Sequence, residues 1–235
     1  MELYSSEKFK PEELALIGRA IGTVVHGTLI VGRDGRSISR YGKRAMTVGI
    51  LSAGTTAMDV RLIPLVVLKD FAHMKGLPLA YVYYNDGVRV EISGMDLDEV
   101  KAILDTKNFV EAQPNDIGAT VYYPNALDDF LHDLFRYYKF TVDGKVLVDC
   151  MNTPAVLLFP RLSEHFGFEA DVINDMMTSY VPPKPKEVFL QRLKKGDYRF
   201  GLRFKPEGII EFYGSEKKVF TSTWKLFDYL KSIFG

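Results

Sequence analysis

An apolar run, Thr28-Leu29-Ile30-Val31, breaks off at Gly32-Arg33-Asp34-Gly35-Arg36, and a helix-like segment begins at Ser37. A buried strand that passes through a charged, glycine-rich turn into a helix is the first half of a strand–helix–strand unit. The strand has to lie inside a sheet, the helix has to cover one of its faces, and the turn has to present Arg33, Asp34 and Arg36 at one end of that sheet. The pattern then returns. Lys145-Val146-Leu147-Val148-Asp149-Cys150 reads as a second buried strand, Met151-Asn152-Thr153-Pro154 as a turn, 155–166 as a helix stopped by Gly167, and 169–174 as the next strand. Strand, turn, helix, glycine and strand recur in one order, which suggests an internal duplication.

The punctuation between these runs fills in the rest. Pro11, Glu12 and Glu13 suit the first turn of a helix whose apolar positions Leu14, Ile17, Ile21 and Val24 follow helical spacing up to Gly27. Ser37 is a candidate cap for a helix to about Ser52, with Gly54 as its stop. A strand is expected over 56–63, a helix from Pro64 to Gly76, and strands over 79–84 and 88–92 about the turn Asn85-Asp86-Gly87. Asp96 with Glu99 resembles a capping box for a helix at 97–105. Residues 107–126 are polar and irregular, and an aromatic-rich helix follows near 125–138. After the stiff connection Val181-Pro182-Pro183-Lys184-Pro185-Lys186 come a helix at 186–195, strands at 199–204 and 209–213, and a closing amphipathic helix at 221–234. The expected fold class is α/β: two similar α/β/α sandwich domains with mixed, mostly parallel sheets. The expected domains are 1–124 and 143–235, with a connecting helix and linker at 125–142.

Charge and cysteine content narrow the function classes. Thirty basic residues balance thirty acidic ones among 235, so no global field draws the chain to nucleic acid or to an anionic membrane. No apolar run approaches the roughly 20 residues that span a bilayer, and the first residues have no apolar signal core. Cys150 is the single cysteine, which fits a reducing compartment. A cytoplasmic location is expected. Scarce glutamine beside abundant lysine and glutamate leans toward a thermophilic source.

Several segments resemble the α-D-phosphohexomutases, the phosphoglucomutase/phosphomannomutase family. Val31 to Arg36 is similar to the family's Gly-Arg-Asp turn. Leu16 to Gly22 is similar to its first helix, Gly49 to Gly54 to its Gly-Leu-x-Ser-x-Gly helix end, and Asp59-Val60 with Ile63-Pro64 to its next strand and exit. Gly144 to Asn152 resembles the opening of the family's second domain, and Pro185 to Phe204 the run leading to that domain's metal loop. The ordered set covers the first two of the family's four domains.

The departures fall on the chemistry. The family carries a Thr-x-Ser-His-Asn-Pro loop whose serine is phosphorylated; the matching stretch here is Leu79-Ala80-Tyr81-Val82-Tyr83-Tyr84-Asn85-Asp86-Gly87, without serine, threonine or histidine. The family's Asp-Gly-Asp-x-Asp-Arg loop binds Mg²⁺ through three carboxylates; the match here is Lys205-Pro206-Glu207-Gly208-Ile209-Ile210, in which Lys205 puts a positive charge where an anionic ligand belongs and Glu207 is the one carboxylate left. The usual Gly-Thr-Ser-Gly-x-Arg-Gly is absent, and the run ends before domains III and IV. The resemblance therefore implies a catalytically inactive relative in hexose-phosphate metabolism, a binding, regulatory or assembly subunit without cofactor or metal. The alternative is an active mutase completed by a partner chain.

For the turn itself two roles stay open. Arg33, Asp34 and Arg36 could hold an anion such as phosphate or a sugar phosphate, or an arginine–aspartate pair could merely fasten the turn. Expected partners are a second copy of the chain or an intact phosphohexomutase, with neither nucleic acid nor membrane. The closing helix, with Trp224 and Phe227, is the expected exposed face for such association.

Overall fold

A computed structural model describes all 235 residues. The chain divides into two compact units, Met1–Ala126 and Leu127–Gly235.

The first unit is built on a six-stranded mixed sheet. Its strands are β1 (Glu2–Ser6), β2 (Thr28–Arg33), β3 (Thr56–Leu62), β4 (Leu79–Tyr84), β5 (Val88–Ser93) and β6 (Thr120–Tyr122), and its helices are α1 (Pro11–Val24), α2 (Ser37–Ser52), α3 (Leu65–Lys75) and α4 (Leu97–Thr106). The strand order is β1-β5-β4-β2-β3-β6. β2 lies parallel to both β3 and β4, and β3 is parallel to β6, while β4, β5 and β1 form an antiparallel meander. Alternation along β2 feeds two faces. Leu29 and Val31 join a core with Leu14, Ile17 and Met46 of α1 and α2. Gly32 points the other way, where an added Cβ would meet Leu68 of α3 at 2.8 Å.

The α1–α2 crossing is the tightest packing in this unit. An added Cβ on Gly49 would come within 2.6 Å of the Arg19 nitrogen, and one on Gly18 within 2.7 Å of the Met46 carbonyl carbon. Backbone touches backbone there, which only residues without a Cβ permit. The Gly49–Gly54 helix end seen in the sequence therefore has a packing cause.

The second unit repeats the plan. Its strands are β7 (Lys145–Asp149), β8 (Glu169–Ile173), β9 (Tyr198–Lys205), β10 (Ile209–Tyr213) and β11 (Lys217–Phe220), ordered β11-β10-β9-β7-β8. Its helices are α5 (Ala126–Tyr137), α6 (Phe159–Phe166), α7 (Lys186–Lys195) and α8 (Thr223–Phe234). The first strand of each motif is flanked by the next two in the same way: β3-β2-β4-β5 in one unit matches β8-β7-β9-β10 in the other. The duplication thus reaches beyond strand–helix–strand to the antiparallel hairpin that follows. It also makes the β4–β5 turn and the β9–β10 turn equivalent places.

Phe200, Leu202 and Phe204 of β9 pack on one face with Phe159, Phe166, Phe227 and Leu230, and the space left among them is about 20 Å³, too little for a ligand. Phe189 of α7 covers the other face at Gly201, where an added Cβ would meet its ring at 2.6 Å.

Several details differ from the sequence expectation. The helix expected at 155–166 is a 3₁₀ turn, Pro154–Leu157, followed by α6. Pro160 lacks an N–H and disfavours a continuous turn through it, so the α-helix starts around it. The helix over 125–138 packs into the second unit through Phe130 and Tyr138 on Trp224, rather than standing as a connector. The face of α8 expected to be exposed is mostly buried in its own unit: Leu226, Phe227 and Leu230 are covered, and Ile233 is exposed. The edge strands β1, β6 and β11 are short and carry no buried residue, so their pairing comes from the neighbouring strand rather than from their own pattern. No helix is long and apolar enough to cross a membrane.

Candidate functional site

The Gly-Arg-Asp turn resolves into a lock. Asp34 is buried at the carboxyl end of β2. One of its oxygens accepts from the Arg36 backbone N–H at 3.0 Å; the other accepts from the Arg36 guanidinium at 2.8 Å and from the Tyr84 backbone N–H at 3.0 Å. The Asp34 N–H in turn donates to the Val82 carbonyl at 3.2 Å. Arg36 is itself buried and lies over the Tyr84 ring at 5.4 Å. Both side chains are thus turned inward, tying β2 and the start of α2 to the end of β4. Of the three residues singled out at this turn, Arg33 alone reaches an open cleft. Its Nη1 donates to the Asp34 carbonyl at 2.7 Å.

The equivalent strand end in the second unit carries a similar device. Asp149, fully buried, accepts from the Met151 N–H at 3.0 Å, from Asn174 at 2.8 Å and from Arg203 Nε at 2.9 Å. Arg203 also donates to Glu211 at 3.1 Å, and Tyr213 donates to the same carboxylate at 2.8 Å. Burial alone would raise the Glu211 pKa, but the Tyr213 hydroxyl and the Lys186, Arg203 and Lys217 cations outweigh it and hold the carboxyl below its ordinary range. Met151, Asn152 and Asn174 take left-handed backbone conformations, φ 47°, 54° and 51°. Cys150 is buried beside Asp149, and desolvation pushes its thiol far up, away from nucleophilic use.

The two hairpin turns are closed. Tyr84 pairs with Val88, and Asn85 N–H donates to the Gly87 carbonyl at 2.9 Å, which leaves three residues in the turn. Asp86 (φ 49°) and Gly87 (φ 135°) supply the positive φ the turn needs. A Cβ on Gly87 would meet the Ser6 carbonyl oxygen at 2.6 Å, and Arg89 Nε donates to the Asn85 carbonyl at 2.7 Å. In the equivalent β9–β10 turn the Gly208 N–H donates to the Lys205 carbonyl at 3.0 Å, with Pro206 pre-set at the second position. The Lys205 ammonium stands 3.4 Å from the Glu207 carboxylate. The one carboxylate of this loop already faces a fixed cation.

A cleft of about 550 Å³ lies along α2, between it and the carboxyl ends of β2, β3 and β6. Arg33, Arg40, Lys43, Arg44 and Arg61 line it, with Asp59 as the one carboxylate. Asp59 is committed: it is hydrogen-bonded to the buried Lys43 ammonium and accepts from the Arg61 backbone N–H at 2.8 Å. Burial outweighs that ion pair and lowers the Lys43 pKa; burial, then the neighbouring Arg40 charge, lowers that of Arg33. Arginine starts so high that it stays cationic. Thr47 and Thr120 add hydroxyls, and Val48, Leu51 and Tyr122 an apolar wall. The sequence signal for this cleft was present but unread: Arg40, Lys43, Arg44 and Thr47 follow i, i+3, i+4, i+7 spacing, one face of a helix. Arg61 and Tyr122 join only through the β-bulge opposite Gly32 and the pairing of β6.

Comparison with known proteins agrees with this architecture. Residues 2–94 match the family model described as phosphoglucomutase/phosphomannomutase, alpha/beta/alpha domain I. The first unit is thus similar to domain I of the phosphoglucomutase/phosphomannomutase family. It is 27% identical over 177 residues to a phosphoglucosamine mutase of Francisella philomiragia, covering 67% of this chain and 40% of that protein. It is 28% identical over 196 residues to a phosphopentomutase of Thermococcus kodakarensis, covering 77% and 43%. Among solved structures, a phosphoglucomutase/phosphomannomutase family protein from Burkholderia thailandensis superposes with a TM-score of 0.74 at 20% identity, over 93% of this chain and 55% of that one, a likeness of fold. The chain thus spans about 40% of the length of the curated relatives it matches.

Proposed function

We propose that this phosphohexomutase relative works without phosphoryl transfer of its own, as a binding or assembly subunit connected with hexose-phosphate metabolism. The observation that carries it is the β4–β5 turn. Where the mutases hold a serine loop, three residues, Asn85, Asp86 and Gly87, close a hairpin against the Ser6 backbone, and the turn itself carries no serine, threonine or histidine. Covalent phosphoryl transfer needs a positioned nucleophile and neutralised charge at the same place. The Lys205–Glu207 pair at the equivalent turn of the second unit adds to this: a hard divalent cation needs several oxygen ligands, and a neighbouring ammonium opposes it.

A second reading has its own support in the similarity to mutases, which extends over 67% to 77% of the chain. In it, another polypeptide completes the site. One experiment addresses both: assay purified protein for interconversion of glucose, mannose and glucosamine 1- and 6-phosphates with Mg²⁺ and a hexose bisphosphate, alone and with an intact mutase of the same source. The expected result is no turnover from the chain alone and no Mg²⁺ uptake by calorimetry. Turnover by the chain alone, together with Mg²⁺ binding abolished by Glu207→Ala, overturns the non-catalytic proposal. Activity that appears only in the mixture, above that of the intact mutase, favours the second reading.

A further inference from the structure

We infer that the cleft along α2 is a binding site for a nucleoside di- or triphosphate. Three features of the cleft support this, and none depends on whether the chain catalyses anything. The first is charge. Five cationic side chains face one carboxylate, and that carboxylate is held by Lys43 and the Arg61 backbone. Arg40, Arg44 and Arg61 are exposed and have no ion-pair partner. The local charge is therefore about +4 in a chain whose total is zero, more than a single phosphate monoester would balance.

The second feature is shape and chemistry. A volume of about 550 Å³ is within the range of small-molecule sites, and guanidinium forks suit successive phosphoryl groups. The lining also has an apolar part, Val48, Leu51 and Tyr122; Tyr122 is 65% exposed, with the Arg61 guanidinium 5.4 Å from its ring centroid. An exposed ring beside a guanidinium is a platform on which a planar base can stack.

The third is backbone strain. Arg61 holds φ 61°, a left-handed conformation that glycine adopts freely and arginine adopts at a cost. It sits on the exposed rim of the cleft, at the bulge where Val31 pairs with Asp59 and Gly32 with Arg61. Its side chain is exposed and lies over the Tyr122 ring. A strained, exposed arginine that adds charge to an already cationic cleft is explained by an anion that occupies the cleft.

The site is distinct from the Gly-Arg-Asp turn, whose Asp34 and Arg36 face inward, and it shares only Arg33 with that segment.

The test is isothermal titration of the full chain with ADP, GDP, pyrophosphate, adenosine, glucose 1-phosphate and a single-stranded RNA oligonucleotide, at two salt concentrations. ADP or GDP is expected to bind, with affinity falling as salt rises, and adenosine is expected not to. Arg61→Gly and Arg40→Ala should each weaken ADP and pyrophosphate at least tenfold, while Arg61→Gly leaves the thermal midpoint unchanged or higher, because strain is relieved. Tyr122→Ala should weaken ADP several-fold and leave pyrophosphate unchanged, which separates base stacking from phosphate recognition. No heat or shift with any diphosphate at millimolar concentration overturns the inference. So does equal binding by wild type and both arginine variants, or glucose 1-phosphate binding as tightly as ADP. RNA binding tighter than ADP would make the cleft part of a nucleic-acid surface and refute the small-molecule assignment.

Discussion

Asp34 should be worth more to this protein as a fastener than any ligand it could help to hold, and the structure gives the size of the effect. Its buried carboxylate accepts from the Arg36 guanidinium and from two backbone N–H groups, those of Arg36 and Tyr84. Asp34→Ala removes all three hydrogen bonds at once and leaves the buried Arg36 without this carboxylate. Breaking a buried ion pair from one side costs about 3–5 kcal/mol. That is a large part of the roughly 5–15 kcal/mol that holds a domain folded. With a urea slope near ~2 kcal/mol per M, the midpoint of the first unit should fall by about 1.5–2.5 M. Asp34→Asn keeps the shape and one acceptor oxygen and should cost less, about 1–3 kcal/mol. The double variant Asp34→Asn/Arg36→Leu removes both charges and should be less destabilised than the sum of the single changes by about 1 kcal/mol or more. Urea unfolding followed by circular dichroism, with amide exchange read at Arg36 and Tyr84, measures these quantities. If Asp34→Ala stays within about 0.5 kcal/mol of wild type, as an exposed substitution would, the lock is not structural. If single and double variants simply add, the carboxylate and guanidinium do not act as a pair.

Two other outcomes follow from packing and charge. Gly49→Ala should destabilise the first unit by about 1–3 kcal/mol, because the new methyl meets α1 backbone that cannot move aside as a side chain would; a thermal midpoint equal to that of wild type would contradict the close α1–α2 approach. Glu211 has a folded-state pKa below its ordinary value, so the stability it contributes is present above the unfolded carboxyl pKa of about 4.3 and is lost as pH falls through the folded value. Urea stability measured between pH 6 and pH 3 should therefore fall more steeply in wild type than in Glu211→Gln, and parallel pH profiles would refute it.

Much of the fold is legible in the chain because its signals are local. Pro11 opens α1 and Gly76, at φ 64°, ends α3; Asp96 caps α4 by accepting from the Asp98 and Glu99 N–H groups. The alternating or continuous apolar runs of β2, β4, β7 and β9 mark strands that a sheet must bury. These features act over a few residues, so the order of letters suffices to place them. The repeated strand–turn–helix–strand order likewise foretold two like units, since each run can bury its apolar face in only a few ways. The sequence could also state what stands at the two turns where the family keeps its serine and its carboxylates, because residue identity needs no coordinates.

What tertiary structure decided was the direction each polar side chain takes. Arg33, Asp34 and Arg36 are neighbours in the chain and look alike as an anion cradle. One backbone turn sends Asp34 and Arg36 inward to Tyr84 and leaves Arg33 facing the cleft. Short edge strands such as β6 have no pattern of their own; the unpaired edge of β3 selects them, and that selection brings Tyr122 over to Arg61. The apolar face of α8 could have met a partner or its own sheet, and only the fold shows Leu226, Phe227 and Leu230 turned to the latter. Local propensity is set by adjacent residues. The make-up of a site is set by residues as far apart as Arg33 and Tyr122, and only the folded chain brings them together.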